Sequence, residues 1–435
     1  MLRVIFIQLW NQKRINISVV AELLCVFGLA WYIVDYLFVY AYTCNLPSYR
    51  DLSHAWVVGV DLLPEDNPEF RAAENEPQAL YDNFLRLVNI LSDYPDIEAV
   101  GVSSSGSLPA TGTYHGQGYY LDDDTINEVG GQIMSLDPKT DYFRVFRHTC
   151  NGGKTPVSTQ EFDWLQPGIV ISRSVEQTLM KNGGSAVGHT LTNGDKKGGG
   201  KFKVVGVIDD VKRFDYQRPQ NVFYAPMNLT PERDIMTWKY GTSISIRSRA
   251  TVSKRLFKET FNREMSDRLR IGNFYLKSLT SYDLISDNTA KNFGITTTVR
   301  MNVALMLFLL LNIVLCVFGT FWYRIHTRRG EIGLRKAMGA TTNSIRNHFF
   351  IEGLLLLTVA AAIAILIEIQ IVTAYLLDTL GRTDDYPCLP DRTWLRFMIT
   401  NGITYIILTV VILISILIPA RRAAALQPSE ALRDE

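Results

Sequence analysis

The sequence predicts an α-helical membrane protein with four transmembrane helices and a large mixed α/β domain outside the membrane, between the first and second helices. Three observations carry this. Four apolar runs each reach the roughly 20 residues needed to cross hydrocarbon. A polar insertion, Cys44 to Thr298, separates the first run from the other three. Short basic segments all fall on one side when the chain is threaded through four spans.

The first run, Ile15 to about Tyr42, is longer than a bilayer requires and contains Glu22 and Asp35. Its basic start suits a signal peptide, but its length does not, and no small-x-small cleavage site follows. Ala41-Tyr42-Thr43-Cys44 resembles a lipoprotein cleavage site only faintly. A retained anchor is expected. Residues 1–43 then form a cytoplasmic segment and first helix.

The insertion reads as α/β. Ala55 to Val60 is short, apolar and β-branched, as strands are. Leu80, Phe84, Leu87, Val88 and Leu91 recur at helical spacing within Ala79 to Leu91. Ile97 to Val102 is a returning strand. A second unit follows late in the insertion: strand Ile244-Ser245-Ile246, helix Val252 to Leu269, strand Phe274-Tyr275-Leu276. Two such units imply a pseudo-repeated platform. Between them a second lobe holds Gly168 to Ser172, a helix through Met180, Lys203 to Asp210, and a glycine-rich loop from Gly194 to Lys201.

The remaining spans are Val303 to Tyr323, uncharged, with Asn312 and Thr320 as its notable polar residues; Gly353 to Leu377, with Glu368 and Gln370; and Ile399 to Ile418, uncharged. The first 16 residues hold three Lys/Arg and no acid, and Arg324 to Arg346 holds six Lys/Arg and one acid. Arg421, Arg422 and Arg433 follow the last span. Positive segments stay inside, so both termini are expected to be cytoplasmic. Polar residues within spans are costly unless paired or near an interface. Glu22, Asp35 and Glu368 are therefore the intramembrane candidates. Asp35 is expected beyond the hydrocarbon on an outward stalk, and Glu22 near the inner headgroups or against a neighbouring helix. Polar Ser281 to Arg300 has only Gly294 as a breaker, so the second span is also expected to continue outward and pack against the first.

A net charge of +1 gives no basic field for nucleic acid. Five cysteines are too few for a disulfide framework; Cys44, Cys150 and Cys388 would lie outside. Gly183 to Thr190 has P-loop spacing, but His189 stands where the phosphate-binding lysine is needed, so it reads as a turn. Asp209-Asp210 has no third ligand at metal spacing and reads as a solvated strand end. Tyr119 to Asp124 lacks EF-hand spacing and reads as an acidic turn. Nucleophile elbow, HExxH and paired zinc cysteines are absent from the sequence. No catalytic, cofactor or metal residues are expected in this chain.

The segment between the second and third spans differs from a plain topology loop. Arg328 to Met338 favours helix, Gly339 suits its C-terminal cap, and Thr341 or Thr342 can cap the next helix. Leu334, Ala337 and Met338 share one face. A short amphipathic helix between defined caps exceeds what topology needs.

Arg329-Gly330-Glu331-Ile332-Gly333-Leu334-Arg335-Lys336-Ala337-Met338-Gly339-Ala340, followed by Ile345 and Glu352, resembles the signature of FtsX-like permeases. Pro419 to Ala424 with Pro428 to Arg433 resembles their closing motif. Ile169 to Ser172, Val187-Gly188, Val205 to Asp210 and Tyr224-Ala225-Pro226 are similar to the MacB-type periplasmic core domain. The resemblance implies a periplasmic core domain over residues 44–298 and a permease domain with three helices, coupling helix and tail over 299–435. It implies a dimeric ABC-transporter subunit, in a second copy or with a paralogue, in the bacterial inner membrane. ATP and Mg²⁺ would be bound by a partner ATPase on a separate chain, since a Walker A motif is absent from the sequence. Arg329, Glu331, Ile332, Leu334, Arg335, Lys336, Met338 and Gly339 would form the ATPase-coupling interface, with Leu334 and Met338 as anchors. Conformational change would pass to the periplasmic domain, for efflux or export, with room for a periplasmic or outer-membrane partner. A lipoprotein-releasing or cell-wall-hydrolase-regulating relative, or a membrane sensor, is the alternative.

Overall fold

A computed structural model describes residues 13–113, 115–122, 126–164, 167–181, 183–193, 200–374 and 393–425. Arg3, Asp123, Asp124, most of the Gly194 to Lys201 loop, Cys388, Arg433 and the closing motif from Pro428 lie outside them. The chain forms two compact units: residues 46–294, and residues 1–45 with 295–435.

In chain order, helix α1 (Lys13–Asn45) leads into the first unit. There β1 (Ala55–Leu62), α2 (Pro77–Ser92) and β2 (Ile97–Ser104) form one strand-helix-strand unit. Next come β3 (Gly116–Leu121), β4 (Val129–Leu136), α3 (Tyr142–Val145), β5 (Thr149–Cys150) and β6 (Thr155–Pro156). They are followed by β7 (Gly168–Ser172), α4 (Arg173–Leu179), β8 (Thr190–Asn193), β9 (Lys201–Ile208), β10 (Val222–Pro226) and α5 (Ile235–Tyr240). The second strand-helix-strand unit is β11 (Thr242–Ser248), α6 (Lys254–Arg268) and β12 (Phe274–Ser281), with α7 (Tyr282–Asn292) after it.

The two strand-helix-strand units interleave. Their strands lie in the order β2-β11-β1-β12, each pair antiparallel. All five α2 residues expected on the apolar face are buried, and they share one core with Phe257, Phe261 and Met265 of α6. The middle lobe is a closed ring of strands. Its order β4-β3-β8-β9-β7-β10 returns to β4 through a parallel pairing, Val222 to Pro226 against Gln132 to Leu136. Tyr119, Ile169, Ile171, Leu191, Val204 and Phe223 fill it. The Ser103–Leu136 pair links platform and ring.

Asp209 corrects an expectation. It is buried rather than solvated, accepting from the Gly152 and Gly153 backbone N–H groups at 2.9 and 2.7 Å and from Thr149. Asp210 accepts from the Ser174 N–H at the start of α4. Both carboxylates tie down loops. The P-loop-like segment is a turn, with His189 Nδ1 2.7 Å from the Asp122 carboxylate.

The second unit contains α1, α8 (Ile295–Thr327), α9 (Arg329–Ala337), α10 (Thr342–Thr373) and α11 (Thr393–Ala425). Among the described residues, α1, α8, α10 and α11 are long and apolar enough to cross a membrane. At 1.5 Å per residue, the 33 residues of α8 run about 50 Å, beyond the hydrocarbon thickness. Against the expectation from sequence, the helix does not continue upstream to Ser281. α7 ends at Asn292, and Gly294 takes φ +72°, a left-handed conformation that stops it before α8 begins. The bundle core takes Val19, Leu23 and Phe27 from α1, Ile313, Val317 and Phe321 from α8, Leu357, Ala360 and Ala364 from α10, and Leu408, Ile412 and Ile416 from α11. Gly353 lets α10 approach α11: a Cβ there would lie 2.4 Å from the Ile416 side chain.

Candidate coupling surface

The short helix α9 is fixed at both ends. The Gly339 N–H donates to the Lys336 carbonyl at 2.9 Å and the Ala340 N–H to the Arg335 carbonyl at 3.0 Å. This is a Schellman motif, and it requires the left-handed φ of +93° that Gly339 adopts without a Cβ penalty. Two residues later the Thr341 side chain accepts from the Ser344 N–H and caps α10. Little chain is free between the two helices.

The faces of α9 have different roles. Ile332 and Gly333 are buried, and Ile332 joins the bundle core with Ile325 and Ile345. Ile332 thus mounts the helix from the inside, and is not on the exposed contact face with which the sequence grouped it. Leu334 and Met338 are 55% and 73% exposed, with Ala337 between them. Glu331 and Arg335 form an i,i+4 ion pair beside this patch, and Lys336 is partly exposed. Arg329 lines a small recess with Trp322, His326 and Arg422. The Arg422 guanidinium stacks 4.8 Å over the Trp322 ring, while Ala420, Ala423 and Ala424 are buried. Pro419 to Ala424 therefore pack the last turns of α11 beside the root of α9.

Beneath α9 lies a buried charge cluster whose arrangement the sequence reading did not assemble. Arg324 of α8 donates to Glu352 of α10 at 2.5 Å and also to Asn16 of α1. Arg328, the residue capping the N-terminus of α9, reaches the other Glu352 oxygen at 3.4 Å. The Arg324 and Glu352 side chains are each 2% exposed. The Glu352 carboxylate thus joins α10 to α8 and to the base of α9, and Arg324 extends the cluster to Asn16 of α1. The available signal was Glu352 itself, an acid at the edge of an apolar run facing a surplus of arginines 24 and 28 positions upstream.

The intramembrane candidates are dispersed. Asp35 of α1 is buried and receives a two-pronged contact from Arg396 of α11, with Nε 2.8 Å from Oδ1. One turn away Trp31 donates to Thr400 at 3.1 Å, so the two helices are joined by a two-rung ladder. Asp35 is therefore an interhelical partner, buried between α1 and the first turn of α11. Glu22 of α1 accepts from the Cys316 thiol of α8. Glu368 of α10 is buried with neither carboxylate oxygen hydrogen-bonded, and Asn401 is its polar neighbour. The three have different polar neighbours and do not share a site. Groups of three or more His, Cys, Asp or Glu able to hold a metal do not occur among the described residues.

The family model of the MacB-like periplasmic core domain matches residues 52–263, and that of the FtsX-like permease C-terminal matches residues 303–428. A Pseudomonas fluorescens protein named a probable export ATP-binding/permease protein is 24% identical over 341 residues, 75% of this chain and 48% of that protein. A macrolide export ATP-binding/permease protein, MacB 1 of Yersinia pestis, is 24% identical over 248 residues, 56% of this chain and 36% of that protein. The chain thus spans about half, or less, of the curated relatives it matches. Among solved structures, a permease-protein domain from Porphyromonas gingivalis aligns with TM-score 0.34 and 16% identity, over 53% of this chain and 91% of that one. The periplasmic region of MacB from Actinobacillus actinomycetemcomitans aligns with TM-score 0.32 and 12% identity, over 54% and 92%.

Four apolar helices, one before and three after a periplasmic core domain in the chain, define a multi-pass membrane permease. The chain belongs to the FtsX-like permeases of the MacB type.

Proposed function

We propose that this chain is the permease subunit of an ABC transporter in the bacterial inner membrane, and that it passes ATP-driven motion from a separate cytoplasmic ATPase to its periplasmic domain. In this reading it works as a dimer, in an export or efflux system for peptides, antibiotics or other envelope substrates. The observation that carries it is α9: a short helix pinned from within by Ile332, capped at its C-terminus, and presenting Leu334 and Met338 outward. An isolated topology loop has no use for two exposed apolar side chains on so constrained a mount. Apolar anchors seated in a partner's pocket dominate interface energy, and rim charges such as Glu331, Arg335 and Lys336 tune it.

The test is co-purification of the full-length chain with its ATPase, and ATP turnover of the complex. Leu334→Asp would bury an unpaired charge in the contact and should abolish both association and stimulated turnover, while the chain still inserts. Arg335→Ala should do less. Unchanged association and turnover with Leu334→Asp would reduce α9 to a topology determinant.

A further inference from the structure

The C-terminal ends of α8 and α11 frame a recess of about 100 Å³ at the root of α9. Trp322, Ile325, Pro419 and Ala423 make its apolar wall. His326, Arg329 and Arg422 supply its polar groups, and among the described residues no acid lines it. The apolar runs Val303 to Tyr323 and Ile399 to Ile418 stop where this lining begins. The recess therefore stands at the level of the lipid headgroups, where tryptophan rings also settle. α8 follows the periplasmic domain in the chain, so its far end meets the cytoplasmic leaflet.

Arg422 is the oriented part of this recess. Its guanidinium is held 4.8 Å above the Trp322 ring, a contact that uses none of its five N–H donors. Among the described residues no hydrogen bond or ion pair engages those donors. The rule that keeps basic residues inside asks for a charge near a span and not for an orientation. Arg421, the preceding residue, is exposed, satisfies that rule equally and does not line the recess. A planar fork with unused donors suits the paired oxygens of a phosphate. Arg329 brings a second guanidinium to the same small volume.

Size and surroundings select the ligand. Sites for drug-sized molecules start near roughly 300 Å³, so this recess admits a single phosphate group and not a whole nucleotide. Its apolar wall continues into the membrane. One turn back along α8 from Trp322 is Phe318, stacked on it, and one turn back along α11 from Arg422 is Ile418, with Ile414 beyond. Ile414 and Ile418 are exposed. An ion from water makes no contact with such a track, whereas a lipid lays an acyl chain on it. A zwitterionic headgroup would bring an ammonium to two guanidinium groups with no acid to receive it. We propose that the recess binds the phosphodiester of an anionic phospholipid of the cytoplasmic leaflet, with Arg422 and Arg329 donating to its oxygens and an acyl chain along Phe318 and Ile418. Basic pockets between spans on the cytoplasmic side recognise lipid phosphates in this way. The lipid would tether the root of α9 to the bilayer whatever its exposed face contacts, so the inference goes beyond the coupling role and does not rest on it.

The test titrates the full-length chain, purified in mild detergent, with phosphatidylglycerol or phosphatidylethanolamine and counts bound lipid by native mass spectrometry. Far-ultraviolet circular dichroism of each variant separates loss of lipid from loss of fold. Wild type should retain a phosphatidylglycerol at concentrations where phosphatidylethanolamine is not retained. Arg422→Gln and Arg329→Gln should each weaken that binding about fivefold, the worth of one basic residue at an anionic surface, and Arg421→Gln by less than about twofold. Arg422→Lys, which keeps the charge but not the fork, should recover part of the loss. Trp322→Leu removes no charge and should still weaken binding, because Arg422 loses its mount. Equal losses for Arg421→Gln and Arg422→Gln, with Trp322→Leu unaffected, would mean attraction to a basic surface and would overturn the recess. Equal retention of the two lipids would overturn the choice of an anionic headgroup. Displacement of phosphatidylglycerol by inorganic phosphate would mark a site for a free anion and overturn the lipid.

Discussion

Replacing Glu352 by leucine would remove the one carboxylate on which Arg324 and Arg328 converge. Arg324 would keep Asn16, a neutral acceptor, but its charge would remain buried without compensation. Breaking a buried ion pair by deleting one partner costs about 3–5 kcal/mol. Arg324→Leu should cost less, about 2–3 kcal/mol, because Arg328 stays within 3.4 Å of Glu352 and can take over part of its charge. The double variant Arg324→Leu/Glu352→Leu leaves no stranded charge, since the 10% exposed Arg328 side chain can turn toward solvent. Its cost should fall well below the sum of the singles, giving a coupling energy of about 2–3 kcal/mol. The assay is equilibrium unfolding of the purified full-length chain in mixed micelles, followed by far-ultraviolet circular dichroism. Hydrogen exchange across residues 328–338 is a second readout, because Glu352→Leu also releases the residue that begins α9. A Glu352→Leu variant within about 0.5 kcal/mol of wild type, or additive single costs, would refute the idea that one carboxylate ties the spans together.

Further outcomes are expected. Asp35→Asn should loosen α1 from α11 by about 2–4 kcal/mol in the same unfolding assay; an effect no larger than that of an exposed control such as Glu65→Gln would remove Asp35 from the bundle's supports. His148 is buried among Tyr142, Phe143, Phe146 and Tyr224. Burial, with the Arg50 guanidinium nearby, pushes it down to about 3. Unfolded histidine binds its proton near pH 6.5 and the native residue does not. The contribution of His148 to the stability of residues 46–294 is therefore full above that pH and should fall by about 1.4 kcal/mol per unit through the middle of the interval down to about 3. His148→Phe should flatten that profile in thermal melts between pH 4 and 7, and an unchanged profile would count against the burial. Cysteine introduced at Asp66 should react with an impermeant maleimide on intact cells whose outer membrane is opened, and cysteine at Met338 only after the inner membrane is breached. The reverse pattern would invert the topology.

What was legible in the sequence was local. The buried face of α2 followed from a 3.6-residue period, and the ends of α9 and α10 from Gly339 and Thr341, because caps act within one turn. What was not legible depended on distant pairings. The β4–β10 pairing that closes the ring joins strands about ninety residues apart, and parallel pairing carries no turn signature between them. Asp35 and Arg396 lie at opposite ends of the chain, so Asp35 read as a residue needing water when its partner was protein. Asp209 misled for a related reason: a carboxylate satisfied by the Gly152 and Gly153 N–H groups has the same sequence appearance as one satisfied by solvent. On α9 the period placed Leu334, Ala337 and Met338 together, but only the packed bundle distinguished Ile332, which faces inward, from its neighbours.

The first strand of the outer domain, β1, and its last, β12, are adjacent, with Trp56 opposite Ser281. The start of the first and the end of the last therefore stand side by side at the same end of one antiparallel pair. A load that drew them apart would act on this pair as on a zipper, opening its backbone bonds one after another from the Trp56 end, where each bond alone bears the force. A load applied to both in common does no work against the ladder and carries the pair as a unit. The fold at its root is compliant to splaying and stiff to concerted displacement, as a two-pronged handle should be.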